Sequence, residues 1–247
     1  MSIFNQIEAS VAARKQIALL IDPEEHTPNS AAQLAVVAAD ARVDYILVGG
    51  SYVSSNLASV VDAIKAAVTI PVLLFPGSPL QVVPNADALL FLSLISGRNP
   101  DYLIGNQVLS AGFIRKSGLE VIPVGYMLID GGSLTSVQYV SNTMPIPADK
   151  PELAVATALA GEMLGLKMLY LEAGSGAKNP VSETLIAAVK SAVRLPVIVG
   201  GGLRSKAAVR SALKGGADIV VVGNAVEDDC SILAELTSAV HGFVADM

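Results

Sequence analysis

The sequence predicts one α/β domain over residues 1–247, a single TIM-type (β/α)8 barrel that lacks a regular third helix. Three observations predict it. Eight short apolar runs recur along the chain, and helical patterns follow most of them, as in a closed parallel sheet. The length of 247 residues suits one such barrel. Three glycine-rich turns, in YLEAGSGA at 170–177, VGGG at 199–202 and VGNA at 222–225, end consecutive strand units. Glycine there lets backbone N–H groups approach an anion with no side chain in the way, and helix N-termini nearby add positive dipole ends.

The strand candidates are 16–22, 44–50, 71–75, 88–93, 120–126, 168–173, 196–200 and 218–223. Their cores, such as IALLI at 17–21 and DIVVV at 218–222, are nearly continuous apolar runs, as expected of strands buried on both faces. Helical patterns cover 30–41, 53–67, 101–116, 151–165, 182–192, 205–214 and 229–243. In the second of these, Val53, Leu57, Val60, Val61 and Ile64 keep helical spacing. Pro151 suits a first helical turn, and Ser182 and Ser205 suit N-caps. Between strands three and four stands only GSPLQVVPNAD, with Pro79 and Pro84. That is too short and too proline-rich for a crossover helix. The segment 130–150 is polar and rich in Gly and Pro, and reads either as a lid or binding loop or as an irregular surface connection.

Composition excludes several classes. The chain is 52% hydrophobic and only 15% charged, which argues for a packed core over disorder. No apolar run nears the roughly 18–20 residues of a membrane span. The N-terminus, MSIFNQIEASVAARKQ, has no apolar core beside a cleavage site and is not read as a signal peptide. A lone cysteine, Cys230, cannot pair internally, which points to a cytoplasmic setting. A net charge of −6 with no basic run speaks against nucleic acid as a partner.

In such barrels the chemistry sits at the C-terminal strand ends. Strand one ends in Asp22-Pro23-Glu24-Glu25, and strand two in Gly49-Gly50-Ser51. Strand five passes Tyr126 to Asp130, and strand six carries Tyr170, Glu172 and Gly174-Ser175-Gly176. No strand end carries lysine, which disfavours a Schiff base. His26 lies a few residues past strand one and His241 in the last helix, so imidazole proton shuttling has little support. No zinc-ligand spacing occurs. Carboxylates, hydroxyls and amides remain, a set that suits a hard cation such as Mg²⁺. Asp22 is the metal candidate, or else a turn aspartate. Ser51 offers a second oxygen, or else caps the helix expected near 53. Glu172, inside a buried strand, needs a partner, either a polar substrate or a basic residue of the barrel. Tyr170 shares its face at a spacing of two, as a donor to substrate or a filler of the barrel.

LIDPE at 20–24, VGGS at 48–51, GYMLIDGGS at 125–133, VSNTMPIPADKPE at 140–152, YLEAGSGA at 170–177, VGGGLRS at 199–205 and VVGNAVE at 221–227 follow one another in this order. Together they resemble the geranylgeranylglyceryl phosphate synthase family, whose bacterial relatives include heptaprenylglyceryl phosphate synthases. The resemblance covers almost the whole chain and includes the missing helix. It implies an Mg²⁺-dependent prenyltransferase of lipid biosynthesis. Such an enzyme joins sn-glycerol 1-phosphate to a long allylic diphosphate, geranylgeranyl diphosphate, and releases pyrophosphate. It implies Mg²⁺ contacts from Asp22 and Ser51. It implies a glycerol phosphate site lined by Tyr170, Leu171, Glu172, Ala173, Gly174, Ser175 and Gly176, with Gly201, Gly202, Gly223 and Asn224 at the phosphate. Glu172, Tyr170 and Asp22 are then the catalytic candidates, Glu172 orienting the attacking hydroxyl. The family often carries Asp-Pro-Asp-Lys where this chain has Asp22-Pro23-Glu24-Glu25, which leaves the two glutamates without an implied role. ALLFLSLI at 88–95 and PLQVV at 79–83 are expected to wall the groove for the lipid tail. A homo-oligomer, dimer or hexamer, and a transient contact with a membrane surface complete the expectation. The competing readings are an isomerase or lyase acting on a sugar phosphate, and a non-catalytic barrel that senses a phosphometabolite.

Overall fold

The computed structural model describes residues 2–53 and 56–244. Met1, Ser54, Ser55 and 245–247, part of the expected domain span and, at 54–55, of an expected helix, lie outside the described residues. Eight parallel strands close into a barrel: β1 (Gln16–Ile21), β2 (Tyr45–Val48), β3 (Val72–Leu74), β4 (Ala88–Leu94), β5 (Glu120–Leu128), β6 (Met168–Glu172), β7 (Val197–Gly200) and β8 (Ile219–Val222). β8 returns to β1 with Ile219 opposite Gln16. Alternate residues divide the core in two. Ala18, Leu47, Leu90, Val124, Ile198 and Val221 fill the barrel, and Ile17, Leu19, Ile46, Leu89, Val199 and Val220 face the helices. That double burial is why the strands read as unbroken apolar runs.

The helices are α1 (Ile3–Ala13), α2 (Pro28–Asp40), α3 (Leu57–Ala67), α4 (Asn106–Ser117), α5 (Ser136–Ser141), α6 (Pro151–Met163), α7 (Glu183–Ala192), α8 (Lys206–Lys214), α9 (Asn224–Asp228) and α10 (Ile232–His241). Ser182 and Ser205 cap α7 and α8 by accepting from Leu185 N and Ala208 N, and Pro151 stands in the first turn of α6. No helix joins β3 to β4, as Pro79 and Pro84 predict. α3 begins later than expected, because Asn56 caps it by accepting from Ser59 N at 3.4 Å. Ser51 is therefore not its cap.

Three helices have no counterpart in the sequence expectation: α1, α5 and the short α9 that follows Gly223. α1 packs its Ile7 against residues at the N-terminal ends of the strands, and Glu120 of β5 accepts from Ile3 N and Phe4 N at 2.6 and 2.8 Å. A carboxylate on the first amides of a helix is a favourable pairing. α1 thus closes one end of the barrel and leaves the opposite mouth for chemistry. α5 lies in the segment 130–150, which is further ordered by a parallel bridge between Ile129 and Ile146.

α4 is unusual. A π-helical turn, Asp101–Gly105, leads into it. Its buried residues are Gln107, Ser110 and Ile114, while Val108, Leu109 and Phe113 stand exposed beside Ile104. Two polar residues thus sit inward beside Ile114, and three large apolar ones outward beside Arg115 and Lys116, unlike an ordinary surface helix. No helix among the described residues is long and apolar enough to cross a membrane.

Candidate active site

Glu172 ends β6 inside the barrel mouth and is 6% exposed. Its Oε1 accepts from Gly174 N at 2.6 Å. Burial pushes the carboxyl up to about 7, against the opposing effects of the Gly174 amide and the Tyr170 hydroxyl. Among the described residues it joins no ion pair, so the internal salt bridge is not its partner. Tyr170 lies one turn of the pleat below, fully buried. Its hydroxyl makes no aligned hydrogen bond, and burial, with the nearby Glu172 carboxylate adding to it, raises the phenol well above its ordinary value.

The glycines of β7 make room for this pair. A Cβ on Gly200 would collide with the Tyr170 hydroxyl and lie 2.9 Å from Glu172 Oε2. One on Gly201, whose φ is +82°, would collide with Glu172 Oε1 and lie 2.7 Å from Gly174 N. Across the mouth, Ser175 Oγ donates to Asn224 Oδ1 at 3.0 Å. The turns at 174–176, 201–202 and 223–224 therefore meet on one rim. Leu171 and Ala173 do not join them with their side chains. Strand alternation turns both into the outer core, at 0% and 1% exposure, and leaves them only backbone groups to offer.

Asp22 stands after β1. Its Oδ1 accepts from Glu24 N at 2.9 Å, so it does hold the turn. Its Oδ2 lies against Gly50, where a Cβ would come within 2.5 Å. Burial raises its pKa, and Glu25 and Glu24 add to the rise. His26 opposes this, but its ring lies 3.5 Å from Glu227. Asp22 has no ion-pair partner among the described residues, so the Glu24 amide and the more distant His26 are what offset its desolvation. Ser51 follows Gly50 and packs its backbone on Gly77. No group of three or more His, Cys, Asp or Glu among the described residues gathers to hold a metal. The donor set fits a cation that takes one or two protein oxygens and completes its shell with water and phosphate, as Mg²⁺ does.

Three aromatic rings join the rim to an apolar groove. Phe75 stacks on Tyr170 at 5.1 Å between centroids and 20° between planes, and Tyr126 lies 6.0 Å from Phe75 and 5.5 Å from Tyr170. Phe75 and Tyr126 also line the groove, which runs between the β3–β4 connector, β4, α4 and α5 past Val82, Leu89, Ile114 and Val137. Both segments expected to wall the tail, 79–83 and 88–95, contribute to it. Phe75 is the residue that sequence reasoning does not single out, since an aromatic before proline at a strand end looks like ordinary core. Other strand-end polar groups have structural work. Ser93 Oγ donates to Leu103 O, Ser96 Oγ accepts from Leu128 N, and the exposed Asp130 accepts from Gly132 N.

A family model described as the PcrB family matches residues 10–240. A geranylgeranylglyceryl phosphate synthase of Chitinophaga pinensis is 52% identical over 241 residues, 97% of this chain and 96% of that protein. The wild-type GGGPS of Thermoplasma volcanium superposes with a TM-score of 0.94 at 33% identity, covering 100% of both chains. The (S)-3-O-geranylgeranylglyceryl phosphate synthase of Thermoplasma acidophilum, solved with its substrate sn-glycerol-1-phosphate, gives 0.93 at 32% identity over 98% of this chain and 100% of that one. Matched along nearly its whole length by both sequence and fold, the chain belongs to the PcrB family, together with the geranylgeranylglyceryl phosphate synthases.

Proposed function

We propose that this chain transfers a prenyl group from a long allylic diphosphate to sn-glycerol 1-phosphate, forming an ether and releasing pyrophosphate. The observation that carries the reading is the continuity from Glu172, through the Tyr170–Phe75 stack, into the apolar groove. A small polyol phosphate and a lipid tail thereby meet at one point. The names of the relatives make geranylgeranyl diphosphate the donor to test first.

The glycine rim would hold the phosphate on backbone amides of 175–176, 201–202 and 223–224, since the Gly174 amide is already held by Glu172. Glu172 would orient the glycerol hydroxyl toward the allylic carbon, at the about 3–3.5 Å that a reacting pair requires. The hydroxyl oxygen forms the new C–O bond as the bond from carbon to diphosphate oxygen breaks, and pyrophosphate leaves with that electron pair. The hydroxyl proton passes to Glu172. Phe75 and Tyr126, which line the groove, would flank the carbon where positive charge develops and shield it from water, with the buried Tyr170 stacked behind Phe75. Asp22, with Ser51 as second oxygen, would hold Mg²⁺, which when bound supplies Lewis-acid charge to the leaving diphosphate. A sugar-phosphate isomerase or a sensor has no use for the groove.

The same reading includes a homo-oligomer, supported by the exposed apolar face of α4, which we assign to a second copy of the chain. It includes a cytoplasmic setting, in keeping with the unpaired Cys230, and a transient membrane contact through which a lipid substrate is collected. The test is labelled sn-glycerol 1-phosphate incubated with Mg²⁺ and a ladder of prenyl diphosphates. Label entering a solvent-extractable ether, best with the geranylgeranyl donor, is expected. No transfer from any rung of the ladder would overturn the reading.

A further inference from the structure

Thr135 is 6% exposed, and its hydroxyl is a buried polar atom with no hydrogen-bond partner. It occupies the N-cap of α5 in extended conformation, φ −114° and ψ 158°. A threonine there ordinarily accepts from an amide of the first turn, yet this one makes no side-chain cap. The side chain is turned to Gly174 instead. A Cβ on Gly174 would collide with Thr135 Cγ2, the nearest atom, and lie 2.8 Å from its Cβ and 2.9 Å from its Oγ1. Gly174, with φ +99°, lacks a side chain where Thr135 packs. Both the cap and the hydroxyl's hydrogen bond are forgone for that contact.

Gly174 is the residue whose N–H holds Glu172 Oε1. Around it the two loops are laced together. Gly131 O accepts from Lys178 N and Asn179 N at 3.1 and 3.0 Å, and Ile129 N donates to Glu172 O at 2.8 Å. We propose that Thr135 is a positioning residue: its methyl group braces Gly174, fixes the amide that aims the Glu172 carboxylate, and so couples the segment 129–146 to the reacting site. The role of Glu172 in this rests on the function proposed above; the brace on its carboxylate does not.

The contact is made by shape, so valine should replace threonine and serine should not. Thr135→Val keeps the braced surface and removes an unpaired buried hydroxyl, a change that is near neutral or stabilising. Thr135→Ser keeps the hydroxyl and loses the methyl. We expect the valine variant to keep kcat within about twofold, and the serine and alanine variants to lose about ten- to hundredfold in kcat, as misplaced reacting groups do. The KM for the prenyl diphosphate should hold. The acid limb of the kcat profile should move to higher pH in the serine and alanine variants, because a weakened Gly174 bond lets the Glu172 pKa rise further. The other titratable groups facing that carboxyl are Tyr170 and Tyr126, which stay protonated throughout. Should alanine prevent folding, serine alone carries the test.

A serine variant with wild-type kcat and pH limb, or a valine variant that loses activity, would overturn the brace. If the wild type transfers no prenyl group, the proposed function has failed. The brace is then read from the Glu172 carboxyl by carbon-13 NMR titration, where an unmoved midpoint in Thr135→Ser refutes it and an upward shift supports it.

Discussion

Gly201 leaves open the space that the Glu172 carboxylate occupies. Its φ of +82° is one that side chains rarely adopt, and any Cβ there would collide with Oε1 and crowd the backbone of residues 173 and 174. The two backbone nitrogens cannot swing aside, and Oε1, though the end of a side chain, is held by Gly174 N. Gly201→Ala should therefore displace Glu172 itself, with kcat down by about a hundredfold and stability down by about 2–4 kcal/mol. Gly176→Ala makes the contrast. It shares a positive φ, +75°, but a Cβ there meets nothing within 4 Å. It should cost about 1 kcal/mol of backbone strain and leave Glu172 in place. Thermal melts and kcat on the two variants check the pair.

Glu172 should give the enzyme its acid limb. Its folded pKa of about 7 lies above the ordinary value of 4.5, and burial is the main cause. If the carboxylate orients the hydroxyl and takes its proton, kcat rises as pH passes upward through about 7. Glu172→Gln should lower kcat by about 10²–10⁴-fold and abolish that limb. The linkage to stability has the opposite sense. A raised folded pKa means the contribution of this group is fully present below about 4.5 and lost as pH climbs through about 7. Above that, the fold carries a desolvated anion that glutamine removes. Glu172→Gln should thus stabilise the protein by on the order of 1–3 kcal/mol at pH 8 and by little at pH 4. Melts at the two pH values, beside the kcat profile, test both halves. A variant with wild-type kcat assigns Glu172 the wrong role.

Asp22 should show its function through metal rather than through folding. The carboxylate is partly buried, has acidic neighbours and has no ion-pair partner among the described residues. Its turn-holding bond to Glu24 N can be kept by an asparagine oxygen. Asp22→Asn should leave the melting temperature unchanged or slightly higher, raise the half-saturating Mg²⁺ concentration about tenfold or more, and lower kcat. Chelation of wild-type enzyme should stop turnover, and added Mg²⁺ should restore it. Full activity in excess chelator would remove the metal from the reading.

The strands were legible because they are buried on both sides, so Ile17 to Ile21 or Ile219 to Val222 need no alternation to be found. The absent third helix was legible from Pro79 and Pro84. The rim was legible because glycine is conspicuous, and Gly200 and Gly201 stand where a side chain would meet Tyr170 and Glu172. Other features depend on contacts far apart in sequence. α1 exists because Ile7 closes the barrel and Glu120, over a hundred residues on, receives its first amides. Phe75 matters because it reaches Tyr170 and Tyr126 across the mouth. Thr135 reads as a loop residue until Gly174 is placed beside it. The outward turn of Leu171 and Ala173, by contrast, follows from strand alternation and could have been drawn from spacing alone.

α4 should be the seam between copies. A helix that buries Gln107, Ser110 and Ile114 while exposing Val108, Leu109 and Phe113 leaves an apolar surface for a second copy to cover. Its inner face is held by polar bonds, with Gln107 Nε2 donating to Leu92 O, and the groove it covers would take up lipid. Its outer face has apolar side chains with Leu109 77% exposed, a surface that water disfavours and a matching face would cover. Leu109→Lys combined with Phe113→Lys should break the assembly by placing unpaired charges at its centre. Neither side chain touches the groove, so the separated subunits should remain folded and bind the prenyl donor. Sedimentation velocity of wild type and variant over a concentration series measures this. A wild type that sediments as a monomer at every concentration, or a variant with the wild-type mass, would show that α4 meets something other than its own copy.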